Sequence, residues 1–176
     1  MATTKWVLDP AHSEVEFKVR HLMITNVTGS FEKFSSTVET EEDDFSTAAI
    51  IFTGDLNSIT TNNEQRDAHL KSADFFETEK YPEFTFKSTS LARKGEAYQL
   101  TGDLTLHGVT RPVTLQVEEG GIVKDPYGQV KAGFSVTGKI SRKDFGLNWN
   151  AATETGGVVV SDEVRIQAEV QYIKQA

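Results

Sequence analysis

Cysteine is absent from this chain. That excludes disulfides, thiolate catalysis and every cysteine-based metal site. It agrees with a reducing compartment without requiring one. Long apolar runs are missing too, and none approaches the roughly 20 residues that span a bilayer as a helix. The opening Met1-Ala2-Thr3-Thr4-Lys5-Trp6 lacks the apolar core of a signal peptide, since Asp9 arrives before one could form. The expectation is a cytoplasmic protein, or a periplasmic or secreted one if a leader has been removed. Positive charge is in deficit, with a formal net charge of −8. An acidic surface repels phosphate backbones, so nucleic acid is not an expected partner.

Catalytic signatures are equally scarce. The 4 His residues are dispersed, with no pair at helical metal-ligand spacing, which argues against zinc. The acidic run Glu39-Thr40-Glu41-Glu42-Asp43-Asp44 lacks EF-hand spacing and its Gly, so it is expected as a solvated loop and not a calcium site. Gly-x-Ser-x-Gly does not occur, and neither does a strand-to-helix nucleophile elbow. Asp144-Phe145-Gly146 matches a kinase triplet, but without a Gly-rich loop or His-Arg-Asp it is expected to be a turn. With 26 Asp and Glu, some carboxylates must lie close together, so proximity alone indicates no glycosidase. No catalytic residue, cofactor or metal is expected.

What the chain does have is alternation. Its 176 residues are 38% hydrophobic and 25% charged, which suits one globular domain over 1–176. Val15, Phe17 and Val19 interleave with Glu14, Glu16, Lys18 and Arg20 across residues 13–21. The same period of two governs residues 98–106 and 164–172, and weaker versions cover 27–38, 48–56, 84–91, 113–117 and 130–140. One buried and one wet face is the signature of antiparallel sheet. The first weaker stretch shifts parity between Phe31 and Phe34, which predicts a bulge near Glu32-Lys33. Turns are expected at Lys94-Gly95, Glu119-Gly120-Gly121, Asp125-Pro126-Tyr127-Gly128 and Gly156-Gly157. Residues 61–72 are expected as the one helix, with Thr61 and Glu64 spaced as a capping box and Asp67 placed to pair with Lys71. Arg66, His69 and Leu70 share a face of it. The fold class is all-β, with about eight antiparallel strands and one short capping helix, which favours one closed barrel or a sandwich over two domains. Such a barrel is either filled by its own side chains or holds one ligand, and alternation leaves both open.

Several blocks of sequence, taken in order, resemble the YceI-like family of polyisoprenoid-binding, lipocalin-like proteins. They are Trp6-Val7-Leu8-Asp9-Pro10-Ala11-His12-Ser13, Gly29-Ser30-Phe31, Ser58-Ile59-Thr60-Thr61 and the stretch from Arg66 through Ser72 to Phe76, followed by Tyr81-Pro82. They continue with Gly102-Asp103-Leu104-Thr105-Leu106-His107-Gly108, Val109 to Val113, Gly133-Phe134 and Arg142-Lys143-Asp144-Phe145-Gly146. The resemblance implies an extended eight-stranded antiparallel lipocalin-like barrel with one short capping helix and a lipid-sized apolar channel. It implies a long-chain partner: a polyisoprenoid, an isoprenoid quinone or a fatty-acid derivative. Many relatives are periplasmic, and this chain resembles the leaderless members.

Placed in such a channel, the candidate ligand-binding residues are Phe17, Val19, His21, Phe31, Phe34, Arg66, His69, Phe84, Phe86, Leu104, Phe134 and Val136. Arg66 has two readings, a contact for a polar head group or a tether for the cap. His12 likewise is either a polar group near the mouth or a turn residue, with the turn favoured. A nine-residue strand over 13–21 spans about 30 Å; tilted by roughly 40° it gives a barrel about 23 Å tall, so a very long prenyl chain must fold back or protrude. The leading function is carriage, storage or sequestration of the lipid. The alternatives are a stress-linked structural or interaction protein with a packed barrel, or an enzyme on isoprenoid substrates. Homodimerisation is left open.

Overall fold

Each alternating stretch forms a strand in the computed structural model, which describes residues 2–22, 24–149 and 160–176. In chain order these are β1 (Thr3–Leu8), β2 (Glu14–His21), β3 (Thr25–Phe31), β4 (Phe34–Glu41), β5 (Asp44–Asp55) and β6 (Ile59–Thr60). After the helix α1 (Glu64–Lys71) come β7 (Glu83–Lys94), β8 (Ala97–Leu106), β9 (Val109–Lys124), β10 (Val130–Ser141) and β11 (Glu163–Lys174). Three pairs run on from one another: β1 into β2, β3 into β4, and β5 into β6. Counted that way the sheet is an up-and-down meander of eight long antiparallel strands, closed where β11 pairs with both β1 and β2. The expected eight-stranded barrel is therefore correct.

The interruptions in the first three long strands lie side by side. In the first, Asp9 accepts a hydrogen bond from the Ala11 amide at 3.1 Å and holds His12 Nδ1 at 2.8 Å, so His12 is a turn residue. The Ser13 hydroxyl donates to the Asp9 carbonyl (2.7 Å) and accepts the Gln171 amide (3.1 Å), which stitches the kink to β11. At Glu32-Lys33 the strand breaks outright, in place of the predicted bulge. Both amides donate to Ser58 Oγ, at 3.1 and 3.0 Å, and the pairing passes from β2 to β1 across the break.

Other expectations are corrected in the same way, by a side chain that sequence spacing does not reveal. The acidic run is mostly strand, with only Glu42-Asp43 turning, because Thr40 points inward. Its hydroxyl accepts Trp6 Nε1 at 3.1 Å and donates to the Glu42 carbonyl at 2.6 Å. Glu119-Gly120-Gly121 is not a turn but a bulge within β9, where Glu119 and Gly121 face the consecutive Phe134 and Gly133. The helix starts at Glu64 and not at residue 61, capped by Asn63, whose side chain accepts the Arg66 amide at 3.0 Å. No Thr61–Glu64 box forms, since the Thr61 amide and hydroxyl both donate to Asp67, at 2.9 and 2.5 Å; Asp67 is thereby engaged with Thr61 in place of Lys71. Asp144-Phe145-Gly146 is the expected turn, with Gly146 at φ 73 ending a short 3-10 helix. The turn expected at Gly156-Gly157 lies outside the described residues.

The barrel is also taller than expected. Strands β10 and β11 have 12 residues each, about 40 Å of extended chain and about 30 Å of height at a tilt of roughly 40°. At the end away from α1, Trp6 is completely buried and packs on Phe45 at 4.8 Å, which packs in turn on Phe134 at 4.8 Å. Trp6→Ala should therefore destabilise the fold by about 3–5 kcal/mol. Chemical denaturation would measure this as a lower midpoint; an unchanged midpoint would show that this end of the barrel is not a packed plug.

Candidate functional site

The inward positions do not fill the barrel. Two apolar chambers lie along its axis, an inner one of about 150 Å³ and a cap-side one of about 320 Å³ beneath α1. Val15, Phe84, Leu104 and Ile166 border both, forming a waist between them. The question left open by alternation, filled or hollow, is answered in favour of hollow.

The reason is a recurring pair. Gly54 in β5 lies directly across from Phe84 in β7, and a Cβ on Gly54 would come within 2.1 Å of the ring. Gly29 lies across from Phe17, and its Cβ would come within 2.2 Å of that ring. A third ring, Phe86, lies over Gly102, whose Cβ would come within 2.5 Å of it. In each case the ring occupies the space a neighbouring side chain would need, so it lies along the wall instead of across the axis. Phe17, Phe31 and Phe84 then meet in series with centroids 5.6 and 5.2 Å apart, and Phe84 stacks on Phe52 at 6.1 Å. Those spacings are favourable for offset and tilted aromatic pairs.

The inner chamber offers a ligand almost nothing polar. Its two tyrosines present their rings, because both hydroxyls already have protein partners. Tyr172 and Ser36 share a hydrogen bond of 2.8 Å, and Ser36 donates to the Ile51 carbonyl at 2.7 Å. Burial pushes the Tyr172 phenol up to about 12, so it stays protonated. Tyr98 accepts from Arg93 at 2.9 Å and donates to Glu119 at 3.4 Å. Burial and the Glu119 carboxylate raise its pKa as well.

Polar groups gather at the cap-side chamber. Arg66, His69 and Leu70 all border it, so the expected shared face of α1 does look into the barrel. The Arg66 guanidinium is already committed to Thr61, donating to its hydroxyl and its carbonyl at 2.8 Å each. His69 contacts Asp74 through Nε2 at 2.9 Å and sets its ring edge-on to Phe75 and Trp149. Arg142 is 5% exposed and donates to four carbonyls, of Ser161 (2.8 Å), Leu147 (3.0 Å), Trp149 (3.1 Å) and Val160 (3.2 Å). Burial lowers its pKa and Asp162 opposes the shift; an arginine stays charged regardless. Among the described residues no cluster of His, Asp or Glu could hold a metal ion.

The candidates chosen from sequence distribute cleanly. Phe86, Phe134 and Val136 border the inner chamber; Phe17, Val19, His21, Phe31, Arg66 and His69 border the cap-side one; Phe84 and Leu104 border both. Phe34 is the exception. It begins β4 just past the strand break and stacks on Phe52 at 5.8 Å, and Phe52, not Phe34, borders the inner chamber. Sequence reasoning missed Phe45, Tyr98 and Tyr172 in the inner chamber and Phe75, Phe76, Arg142 and Trp149 in the other. The tyrosines were legible as inward positions. Trp149 lies in no strand or helix, and no periodicity marks it.

Comparison with known proteins places this geometry in a lineage. The model of the YceI-like domain matches residues 6–172. A UPF0312 protein of Staphylococcus aureus is 41% identical over 170 residues, covering 96% of this chain and 97% of the relative. The crystal structure of a Campylobacter jejuni YceI protein superposes with a TM-score of 0.77 at 34% identity, covering 89% of this chain and 90% of that one. BcnA of Burkholderia cenocepacia superposes with a TM-score of 0.81 at 25% identity, covering 93% and 98%. A polyisoprenoid-binding domain from Saccharophagus degradans shares the fold, with a TM-score of 0.66 at 19% identity over 97% of this chain and 98% of that one.

The two arginines should differ in what they hold. Arg142→Met strips donors from four carbonyls and should cost about 3 kcal/mol or more, whereas Arg66→Met loses two bonds and should cost about 1–2 kcal/mol. Denaturation of both variants beside the wild type checks the order. A larger loss at Arg66 would mean that the cap, not the Arg142 cluster, holds this end together.

Proposed function

We propose, for a chain that belongs to the YceI-like family, that the barrel binds a single-chain apolar lipid such as a polyisoprenoid, an isoprenoid quinone or a fatty-acid derivative, and carries, stores or sequesters it. The observation that carries this reading is the channel's polarity gradient: dry walls in the inner chamber, with Arg66, His69 and Arg142 confined to the cap-side end. A void lined only by apolar groups does not hold water stably. Filling it with hydrocarbon gains roughly 25 cal/mol for each Å² of apolar area removed from water. The tail belongs in the inner chamber on that ground, and the head belongs under α1.

The polyisoprenoid-binding domain from Saccharophagus degradans supports the choice of ligand class, since it shares this barrel. The proposed activity is binding and not turnover. Arg66 is assigned mainly as a tether, because its hydrogen bonds already go to Thr61.

The purified protein should therefore carry a co-purifying lipid, detectable by mass spectrometry of an organic extract. After delipidation it should take up an added prenyl alcohol. An empty extract together with no uptake would remove the lipid-binding reading.

A further inference from the structure

The waist between the chambers is set by one ring whose position depends on one glycine. Phe84 borders both chambers. Its ring lies over Gly54, where an added Cβ would come within 2.1 Å of Cε2 and 2.3 Å of Cζ. The backbone of Gly54 is not left-handed, so a residue with a Cβ is conformationally acceptable there. The three nearest atoms that Cβ would meet all belong to the ring. Phe31 at 5.2 Å and Phe52 at 6.1 Å hem it in along the wall, which leaves the channel as the space it can enter.

We propose that Phe84, seated over Gly54, is the specificity-determining residue that decides how long a tail the barrel accepts, by governing passage from the cap-side chamber into the inner one. This rests on the lipid-binding reading and adds a ruler to it. A short tail fits within the cap-side chamber and never meets the waist. A longer tail must pass between Phe84, Leu104, Val15 and Ile166 to reach the inner chamber. With Gly at 54 the ring lies flat and the passage is open. With any larger residue the ring is pushed across it.

The test is competition titration of geraniol and geranylgeraniol against one fluorescent apolar probe, on delipidated wild type, Gly54→Ala, Phe84→Ala and the double variant. Gly54→Ala should weaken the longer alcohol about tenfold or more, the scale of an overpacking cost, and leave the shorter one within about twofold. The double variant should recover the longer alcohol, because the ring that the added methyl group displaces is gone. Should Gly54→Ala not fold, Leu104→Phe narrows the same waist from β8 and must show the same selective loss. Equal loss of both alcohols, no loss of either, or a double variant as weak as Gly54→Ala would overturn the ruler while leaving lipid binding intact. A wild type that binds neither alcohol would overturn the lipid-binding reading and the ruler with it.

Discussion

An eight-stranded barrel has an interior only just large enough for its own side chains, so a hollow one must lay its large rings somewhere other than the axis. Here cross-strand glycines do that. Phe84 over Gly54 and Phe17 over Gly29 each occupy the volume that a facing side chain would take, and Phe86 does the same over Gly102. Phe17, Phe31, Phe84 and Phe52 pack against one another in tilted and stacked pairs. Two chambers are left open as a result, and the shape of each follows from which rings lie flat.

The second constraint is the satisfaction of polar groups around that void. Burying an unpaired donor beside such a void is costly, and several polar side chains at either end are occupied by local partners. Thr40 takes the Trp6 indole, Ser36 takes the Tyr172 phenol and Arg66 takes Thr61. Arg142 gathers carbonyls from Leu147, Trp149, Val160 and Ser161, which fixes the backbone around the cap-side chamber. Such groups orient the wall first.

Much of this was legible in the sequence. Period-two alternation located the long strands and their inward faces, because burial on one side of a pleat leaves no alternative pattern. All but one of the channel residues chosen that way border a chamber. Phe34 shares the inward parity of Ser36 and Val38, but it starts its strand and stacks on Phe52, and Phe52 takes the place beside the chamber. The acidic run failed because hydrophilicity suggested a loop, whereas Thr40 is buried by its bonds to Trp6 and Glu42. The Gly54–Phe84 and Gly29–Phe17 pairs were invisible for a related reason. A glycine in a strand reads as a weakness until the register shows which ring lies over it.

The claim on which the rest turns is that the interior is empty space walled by flat rings and not a core awaiting closer packing. Crystals of the delipidated protein under xenon pressure test it directly, since xenon enters dry apolar cavities. The account predicts xenon density on both sides of Phe84, with the Phe84 and Phe17 rings against Gly54 and Gly29. Rings turned onto the axis, with no xenon in either chamber, would contradict it.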